Sequence, residues 1–497
     1  SDPMLSQGVV ERIRGGLDLP AALRSVVQHY AEIFMAMDDP YLQARHEDIH
    51  HLGNRLYAAW RKSSNNGAPR QLEGPIVLVG NQVSVSDIAR IPRDGLVGVV
   101  CMQGSSLSHT AVLSNALGIP AVLGVGEFKG IKDGDALVVD GKAAKVFLNP
   151  DSALWEEYQK LFDAETEFGE RLKYLQKEPA TTQDGETVSL FANSGLTADI
   201  QPGLDNGAEG LGLYRTEIPF MTSETFPSED EQCAWYREVI EAYQGKPVYM
   251  RVLDVGSDKP LPYFPIQEEN PALGWRGIRF CLDNSSLLVT QLRAMLRASF
   301  GSENLRIILP MVSAMSELRD FHTVLDDTIS QLREEGMQVC KPQVGIMVEV
   351  PAAISQLEKW KDYIEFVSIG SNDLSQYLTA VDRNNPRVAS KYDHLHPAVL
   401  AEIERVLNIA AGLDLPVSVC GEMSSDPQAV VLLVGMGVRT LSMSAAQLPK
   451  VKWLIRSMNS HDATLLFQAA YEACDSSDIR KMTADYLSRL DIPGLVH

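Results

Sequence analysis

The sequence predicts an α/β protein in which residues 183–497 form a closed (β/α)8 barrel, preceded by a small β/α domain and a partial helical subdomain. Three observations carry that prediction. Eight short apolar runs recur between Val188 and Gln447: Val188–Gly195, Gly210–Ile218, Val248–Val255, Arg306–Ser313, Val344–Pro351, Tyr363–Ser371, Pro416–Met423 and Arg439–Gln447. Runs of this length, rich in Val, Ile and Leu, read as strands buried on both faces of a parallel sheet. Helix-like stretches separate them, which is the repeat of a barrel that closes on itself. The runs also end in polar or charged residues, and the C-terminal strand ends of such a barrel carry its chemistry. Arg215, Arg251, Glu349, Asn372, Asp373 and Cys420 sit there, a set suited to an anionic, metal-bound substrate.

The elements before the barrel follow from local signals. Residues 1–62 read as the partial helical subdomain. Asp18-Leu19-Pro20 opens a helix with Leu23, Val27, Tyr30, Phe34 and Met37 at heptad-like spacing. Asp39-Pro40 restarts the chain as an N-cap followed by proline at the first helical position. The next helix carries Leu42, Ile49, Leu52, Leu56 and Trp60 on one side, so the two predict an antiparallel hairpin. Lys62–Gln71 is polar and rich in turn formers, a linker. Residues 63–150 read as a β/α domain with strands at Pro75–Val79, Gly95–Cys101 and Ala136–Val139. Asp151–Lys177 repeats Leu154, Tyr158, Leu161, Phe168, Leu172 and Leu175, an amphipathic helix, so residues 151–182 are assigned as linker helix and hinge.

Composition sets the outer bounds. A chain of 497 residues with 45% hydrophobic and 22% charged residues is that of a globular protein of several domains. No apolar run approaches the ~20 residues that cross a bilayer, and Ala429–Val438 is about half of that. Ser1-Asp2-Pro3 has no basic or apolar leader, and nothing marks export. The six cysteines show neither close pairs nor metal spacing, which points to reduced thiols in a cytoplasm-like compartment. A net charge of −21 argues against nucleic acid. It also requires that an anionic substrate be held by local arginines, and it would steer in a basic partner.

The sharpest local motif is Gly104-Ser-Ser-Leu-Ser-His109-Thr-Ala-Val-Leu-Ser-Asn-Ala-Leu-Gly118-Ile-Pro120. It follows a strand and turns helical, placing His109 at or near a helix N-terminus. Free amides and the dipole there favour an anion and disfavour imidazolium, leaving a neutral nitrogen able to attack and to carry a phosphoryl group. Local sequence leaves the alternative open that Ser108 caps the helix and His109 is an ordinary first-turn residue.

This segment resembles the phosphohistidine motif of Enzyme I, the phosphoenolpyruvate–protein phosphotransferase of the bacterial phosphotransferase system. The barrel resembles the same family at Gly212-Leu-Tyr-Arg215-Thr-Glu217, Arg251-Val-Leu-Asp-Val-Gly-Ser-Asp-Lys259, Gly274-Trp-Arg276, Val348-Glu349-Val-Pro351, Gly370-Ser-Asn372-Asp373-Leu, Val381-Asp-Arg383 and Cys420-Gly-Glu422. These run collinearly over nearly all of residues 20–495. Asp382-Arg-Asn-Asn385, Arg387-Val-Ala-Ser390 and Leu395-His-Pro397 look closest to the nitrogen-related paralogue, Enzyme I-Ntr. Compared with that family, the chain is expected to be a fragment without the sensor (GAF) domain and the start of the N-terminal domain.

The resemblance implies a chemistry residue by residue. Phosphoenolpyruvate carries a phosphate and a carboxylate, which suit planar, always-charged donors. Arg215, Arg251 and Arg383 match the family's substrate positions, with Lys259 and Arg276 adding to the cradle and Asn372 bonding the phosphate. Glu349 and Asp373 are the implied Mg2+ ligands; pairing of both with arginines, without metal, is the alternative. Asp254 and Glu217 would orient the arginines. Cys420 matches the proton donor to the pyruvate enolate, a role that needs a protonated thiol; a lone buried cysteine is otherwise a small core residue. His109 would take the phosphoryl group and, by a swing about the 151–182 hinge, deliver it to a small HPr-like phosphocarrier docked on the hairpin. A homodimer through the barrel is also implied.

Two other enzymes of similar parts, pyruvate phosphate dikinase and phosphoenolpyruvate synthase, need an ATP-grasp domain of which no Gly-rich trace is present. A signalling module with little turnover fits the same residues. His46-Glu47-Asp48-Ile49-His50 matches the H-E-x-x-H helix motif of zinc peptidases, but no third ligand pattern follows it. His29, His51, His322, His394 and His396 are assigned solvated or structural roles.

Overall fold

The computed structural model describes residues 3–35, 53, 74–81, 83, 85–88, 91, 95–102, 114, 119–126, 130–141, 143–223, 225–259, 261, 263–264, 266–383, 385 and 387–490. His109 and most of its motif lie outside the described residues. So do the second predicted helix apart from Gly53, the 62–71 linker and the His46/His50 pair. Contacts divide the chain into two compact units, Ser1–Ile76 with Arg93–Gly95, and Val77–Pro92 with Leu96–His497.

In the first unit, helices Pro3–Arg14 and Leu19–Met35 are described. Asp18 opens the second as expected: its Oδ1 accepts from the Ala21 amide at 2.8 Å. Ala22, Leu23, Val26 and Val27 are buried along it. A Cβ added at Gly53 would lie 2.4 Å from Val27 Cγ2, so glycine there lets backbone pack directly on that face. The helix at Pro3–Arg14 is an element the sequence reading did not propose. Val10 and Ile13 are exposed on it, which leaves a weak apolar stripe to read.

A three-stranded sheet follows, β1 (Ile76–Gly80), β2 (Leu96–Cys101) and β3 (Ala121–Leu123), in that order, all but Ile76 within the second unit. An antiparallel hairpin follows, β4 (Leu137–Asp140) and β5 (Lys145–Leu148). Val83, Ile88, Leu96, Val99 and Cys101 form the core beside the three-stranded sheet. The helix Ser152–Leu172 continues into a 3-10 turn, Lys173–Lys177. Among its described side chains, apolar cover lies towards the ends. Tyr158 packs on Phe147 and donates to Asp140, and Leu172 and Leu175 are buried. Leu161 is 54% exposed, so the stripe read in the sequence is not a continuous contact face.

The barrel closes as β6 (Ser189–Ser194), β7 (Leu211–Arg215), β8 (Val248–Arg251), β9 (Leu305–Leu309), β10 (Gln343–Val348), β11 (Phe366–Ile369), β12 (Val417–Val419) and β13 (Thr440–Ser444), every neighbouring pair parallel and β13 returning to β6. Each strand lies within a run read from the sequence or overlaps it. Alternation explains the packing. Ile307, Leu309, Ile346, Val348, Val367 and Ile369 join the large core shared with the helices. The intervening Ile308, Met347 and Phe366 join Leu213 and Cys420 in a separate cluster. That second set fills the barrel interior, as a closed sheet requires. Gly345 marks a close approach within it, since a Cβ would come 2.4 Å from the Phe366 ring. No helix among the described residues is long and apolar enough to cross a membrane.

Candidate functional site

The strand ends gather the charged residues around one carboxylate. Arg251 ends β8, and Asp254 follows three residues later in the long connection to β9. Asp254 is fully buried, and its Oδ2 lies 3.0 Å from Arg251 Nη1, 2.6 Å from Lys259 Nζ and 3.3 Å from Arg276 Nη2. Burial alone would raise its pKa, but these three cations hold it well below the usual carboxylate range. Arg251 also pairs with Glu217, at the start of the short helix after β7. Burial opposes the charge of Arg251, and Asp254 and Glu217 more than restore it. The expectation that Asp254 and Glu217 orient arginines therefore corresponds to direct ion pairs. Thr216, between the two strand ends, donates its hydroxyl to the Arg251 carbonyl at 2.8 Å and fixes their spacing.

Arg276 arrives from further along the same connection and links this group to the next strand ends. Its Nη1 lies 2.9 Å from Asp258 Oδ2 and 3.6 Å from Asp373 Oδ1. Arg383 Nη2 approaches the same Asp373 oxygen at 3.4 Å. Burial would raise the Asp373 carboxyl, but Arg276, Arg383 and Lys259 keep it below its ordinary value. Asp373 and Asn372 sit in the first turn of the helix Ser371–Thr379, directly after β11. Asn372 Oδ1 accepts from the Glu422 amide at 3.0 Å. The Tyr377 hydroxyl, on the same helix, bonds the Ala272 carbonyl and accepts from Arg276 Nη1 at 3.4 Å.

Glu349 follows β10 and is 1% exposed. One carboxylate oxygen accepts from the Met311 amide at 2.7 Å, and the other is buried without a hydrogen-bond partner. Met311 holds φ +60°, the left-handed region, which costs a non-glycine residue on the order of 1–3 kcal/mol. That backbone conformation turns its N–H onto Glu349. Burial first, then the nearby charges of Asp373 and Asp254, push the Glu349 carboxyl up to about 8. Two carboxylates that repel each other, with an oxygen of Glu349 unpartnered, form a donor set that fits a hard dication. Among the described residues no group of three or more His, Cys, Asp or Glu side chains makes a metal cluster, so substrate or water oxygens would complete such a site.

Cys420 follows β12 and is 5% exposed. Burial raises its thiol pKa, against the lowering effect of a hydrogen bond from Ser368 at 3.1 Å. The thiol is therefore the protonated form at neutral pH, the tuning an acid needs. Arg215, at the end of β7, is exposed. The structure thus brings Arg251, Lys259, Arg276, Glu349, Asp373 and Arg383 into one electrostatic cluster. Asn372 is adjacent in sequence, and Cys420 senses both Arg251 and Glu349. His109 lies outside the described residues. Sequence reasoning missed Asp258, Tyr377 and Met311; nothing in a side-chain pattern announces a left-handed methionine.

Comparison with known proteins shows the family. The family of PEP-utilising enzymes matches in three parts: the PEP-binding domain over residues 169–460, the mobile domain over 72–144 and the N-terminal domain over 1–45. A protein of Salmonella typhimurium named phosphoenolpyruvate-dependent phosphotransferase system is 38% identical over 497 residues, all of this chain and 66% of that protein. Proteins named phosphoenolpyruvate-protein phosphotransferase are 36% identical in Staphylococcus carnosus, over 98% of this chain and 85% of that one, and 35% identical in Haloferax volcanii, over 97% and 84%. The chain thus spans about two thirds of the length of the first of these relatives and more of the others.

Proposed function

The chain belongs to the Enzyme I (phosphoenolpyruvate–protein phosphotransferase) family, and from that premise we propose that it transfers the phosphoryl group of phosphoenolpyruvate to its own His109. The observation that carries the reading is the buried cluster of Arg251, Lys259 and Arg276 about Asp254, beside the half-satisfied Glu349 at the strand ends of a closed barrel.

In this reading Arg251, Arg215 and Arg383 bind the phosphate and carboxylate of the substrate, with Lys259, Arg276 and Asn372 completing the cradle. Ion pairs to Glu217 and Asp254 hold Arg251 in place before substrate arrives, so orientation is settled in advance. Glu349 and Asp373 would hold Mg2+, which when bound supplies charge neutralisation at the transferring group. As the phosphorus–oxygen bond to the enolate breaks, a bond from phosphorus to a His109 ring nitrogen forms. The Cys420 thiol then gives its proton to the methylene carbon of the enolate, producing pyruvate and a thiolate.

Residues 1–62, 63–150, 151–182 and 183–497 are read as carrier-docking subdomain, phosphohistidine domain, hinge and barrel. The hinge would let His109 leave the barrel mouth and pass the group to an HPr-like carrier, of the nitrogen-related branch on the motifs around Asp382 and Arg387. A homodimer through the barrel and a cytoplasmic location complete the proposal. Incubation with [32P]phosphoenolpyruvate and Mg2+ should put acid-labile label on His109, absent in His109→Ala. Label that appears only with ATP would instead support a dikinase-type reaction, and no label under either condition would overturn the reading.

A further inference from the structure

Proton donation by Cys420 leaves a thiolate inside the barrel, and that thiolate must regain a proton before the next turnover. Burial makes the charged sulfur unfavourable there. Two hydroxyls stand behind it. Ser368 is 1% exposed and donates to Cys420 Sγ at 3.1 Å. Ser418 donates to Ser368 Oγ at 3.2 Å. The two serines are paired across β11 and β12 in the barrel register. Each alternates with neighbours that face the helices: Val367 and Ile369 flank Ser368, and Val417 and Val419 flank Ser418. Both serines therefore occupy inward positions, beside the apolar cluster of Leu213, Ile308, Met347 and Phe366. Polar residues at such positions weaken the apolar packing and need a hydrogen-bond partner. Here the partners form a line, Ser418 to Ser368 to Cys420, that runs from a partly exposed residue to a buried sulfur. The thiol meanwhile directs its own hydrogen towards the Ile369 carbonyl at 3.6 Å, so it does not compete for the serine proton.

We propose that Ser418 and Ser368 form a hydroxyl relay that returns a proton to the Cys420 thiolate after each enolate is protonated. This rests on the role of Cys420 in the reading above. The step balances in one concerted shift. The Ser368 O–H bond breaks as an S–H bond forms on Cys420; the Ser418 O–H bond breaks as Ser368 regains its hydrogen; and Ser418 takes a proton from solvent water, whose hydroxide passes to the bulk with the thiolate's charge. Overall the enolate gains one proton from solvent, and no serine is consumed or left charged. Ser368 acts through Cys420, with which it shares a hydrogen bond, so its effect belongs to the proton step.

The test uses the full chain with Mg2+. Single-turnover labelling of His109 by phosphoenolpyruvate, solvent deuterium entry into the pyruvate methyl group and a proton inventory in mixed H2O and D2O are measured together. Ser368→Ala should leave the labelling rate within twofold of the unsubstituted chain while slowing methyl exchange by tenfold or more. The curved inventory of a multi-proton transfer should become linear. Ser368→Thr keeps the hydroxyl and should restore exchange to within threefold. Ser418→Ala should slow exchange similarly, and the double variant should be no slower than the worse single one, as members of one chain are not additive. Unchanged exchange in Ser368→Ala that still labels His109 would overturn the relay, as would failure of Ser368→Thr to rescue while labelling stays normal. If the unsubstituted chain itself takes no label, the proposed function fails rather than the relay.

Discussion

Asp254→Asn isolates the charge that holds the cluster together. The substitution preserves shape, but it removes the one carboxylate shared by Arg251 at 3.0 Å, Lys259 at 2.6 Å and Arg276 at 3.3 Å, and it turns an amide N–H towards them. Breaking a buried ion pair from one side costs about 3–5 kcal/mol, because the remaining charge is left uncompensated. Arg251 keeps Glu217, and Arg276 keeps Asp258, so the lower end of that range applies. At roughly 1.5 °C per kcal/mol, from the per-residue unfolding entropy summed over residues 183–497, the barrel's thermal transition should fall by about 4–5 °C at pH 7. Calorimetry of the full chain reads this directly. The depressed pKa of Asp254 sets the pH window. Its stabilisation is fully present above the unfolded carboxylate pKa of about 3.9 and is lost as pH falls through the lower folded value. The gap between the two proteins should therefore be constant near neutrality and narrow below about pH 4. Inorganic phosphate should raise the variant's transition more than that of the unsubstituted protein, since an anion can take the place of the missing charge. A variant that melts within 2 °C of the parent and gains no more from phosphate would refute the idea that Asp254 anchors these cations.

Two further outcomes follow from the same geometry. Cys420→Ala should slow methyl-proton transfer to the enolate by about 10²–10⁴-fold, the usual contribution of a positioned acid, while His109 is still labelled in a single turnover. Equal loss of both would assign Cys420 to packing. Binding of Mg2+ at pH 7 should release close to one proton, because Glu349, pushed up to about 8, must ionise to serve as a ligand. Isothermal titration in two buffers of different ionisation enthalpy measures it, and Glu349→Gln should abolish the release and weaken binding at least tenfold. No proton release from the unsubstituted chain at pH 7 would argue that Glu349 does not ligate the ion.

The barrel was legible because its signal is repetitive. β9, β10 and β11 are buried on both faces, so their residues read as nearly unbroken apolar stretches. In β10 the stretch runs from Val344 to Val348, and the charge of Glu349 marks its end. The site was legible where a residue sits at such an end, as with Arg251, Glu349 and Asp373. It was less so where a connection folds back. Asp258 and Tyr377 both bond Arg276, and those contacts arise where the connection between Gly256 and Gly277 brings Arg276 to them. Lys452 was invisible for another reason. It reads as a surface helix residue, yet it is 1% exposed and donates to the carbonyls of Gln176 at 3.1 Å and Gly207 at 3.4 Å, tying the end of the linker segment to the barrel. A lysine buried against carbonyls has no periodicity to give it away. The exposure of Leu161 is the converse case, an apolar position whose cover a pattern assumes.

Charge arithmetic bears on how the proposed anionic substrate would be held at this mouth in a chain of net charge −21. The ion pairs join four cations, Arg251, Lys259, Arg276 and Arg383, with four carboxylates, Glu217, Asp254, Asp258 and Asp373, and these cancel. Glu349 stands outside those pairs, so its ionisation would make the group negative. That is what burial and the Asp373 charge resist in holding its proton. A dication held by Glu349 and Asp373, as proposed, would reverse the sign: Glu349 could ionise and the cluster would still be one unit positive. Anion and metal should then bind with positive coupling, each raising the affinity of the other by the same factor. The reciprocal effect is the measurable one. Phosphoenolpyruvate titrated with and without Mg2+, and Mg2+ with and without phosphoenolpyruvate, should give equal ratios of dissociation constants, and Glu349→Gln should bring both ratios towards one.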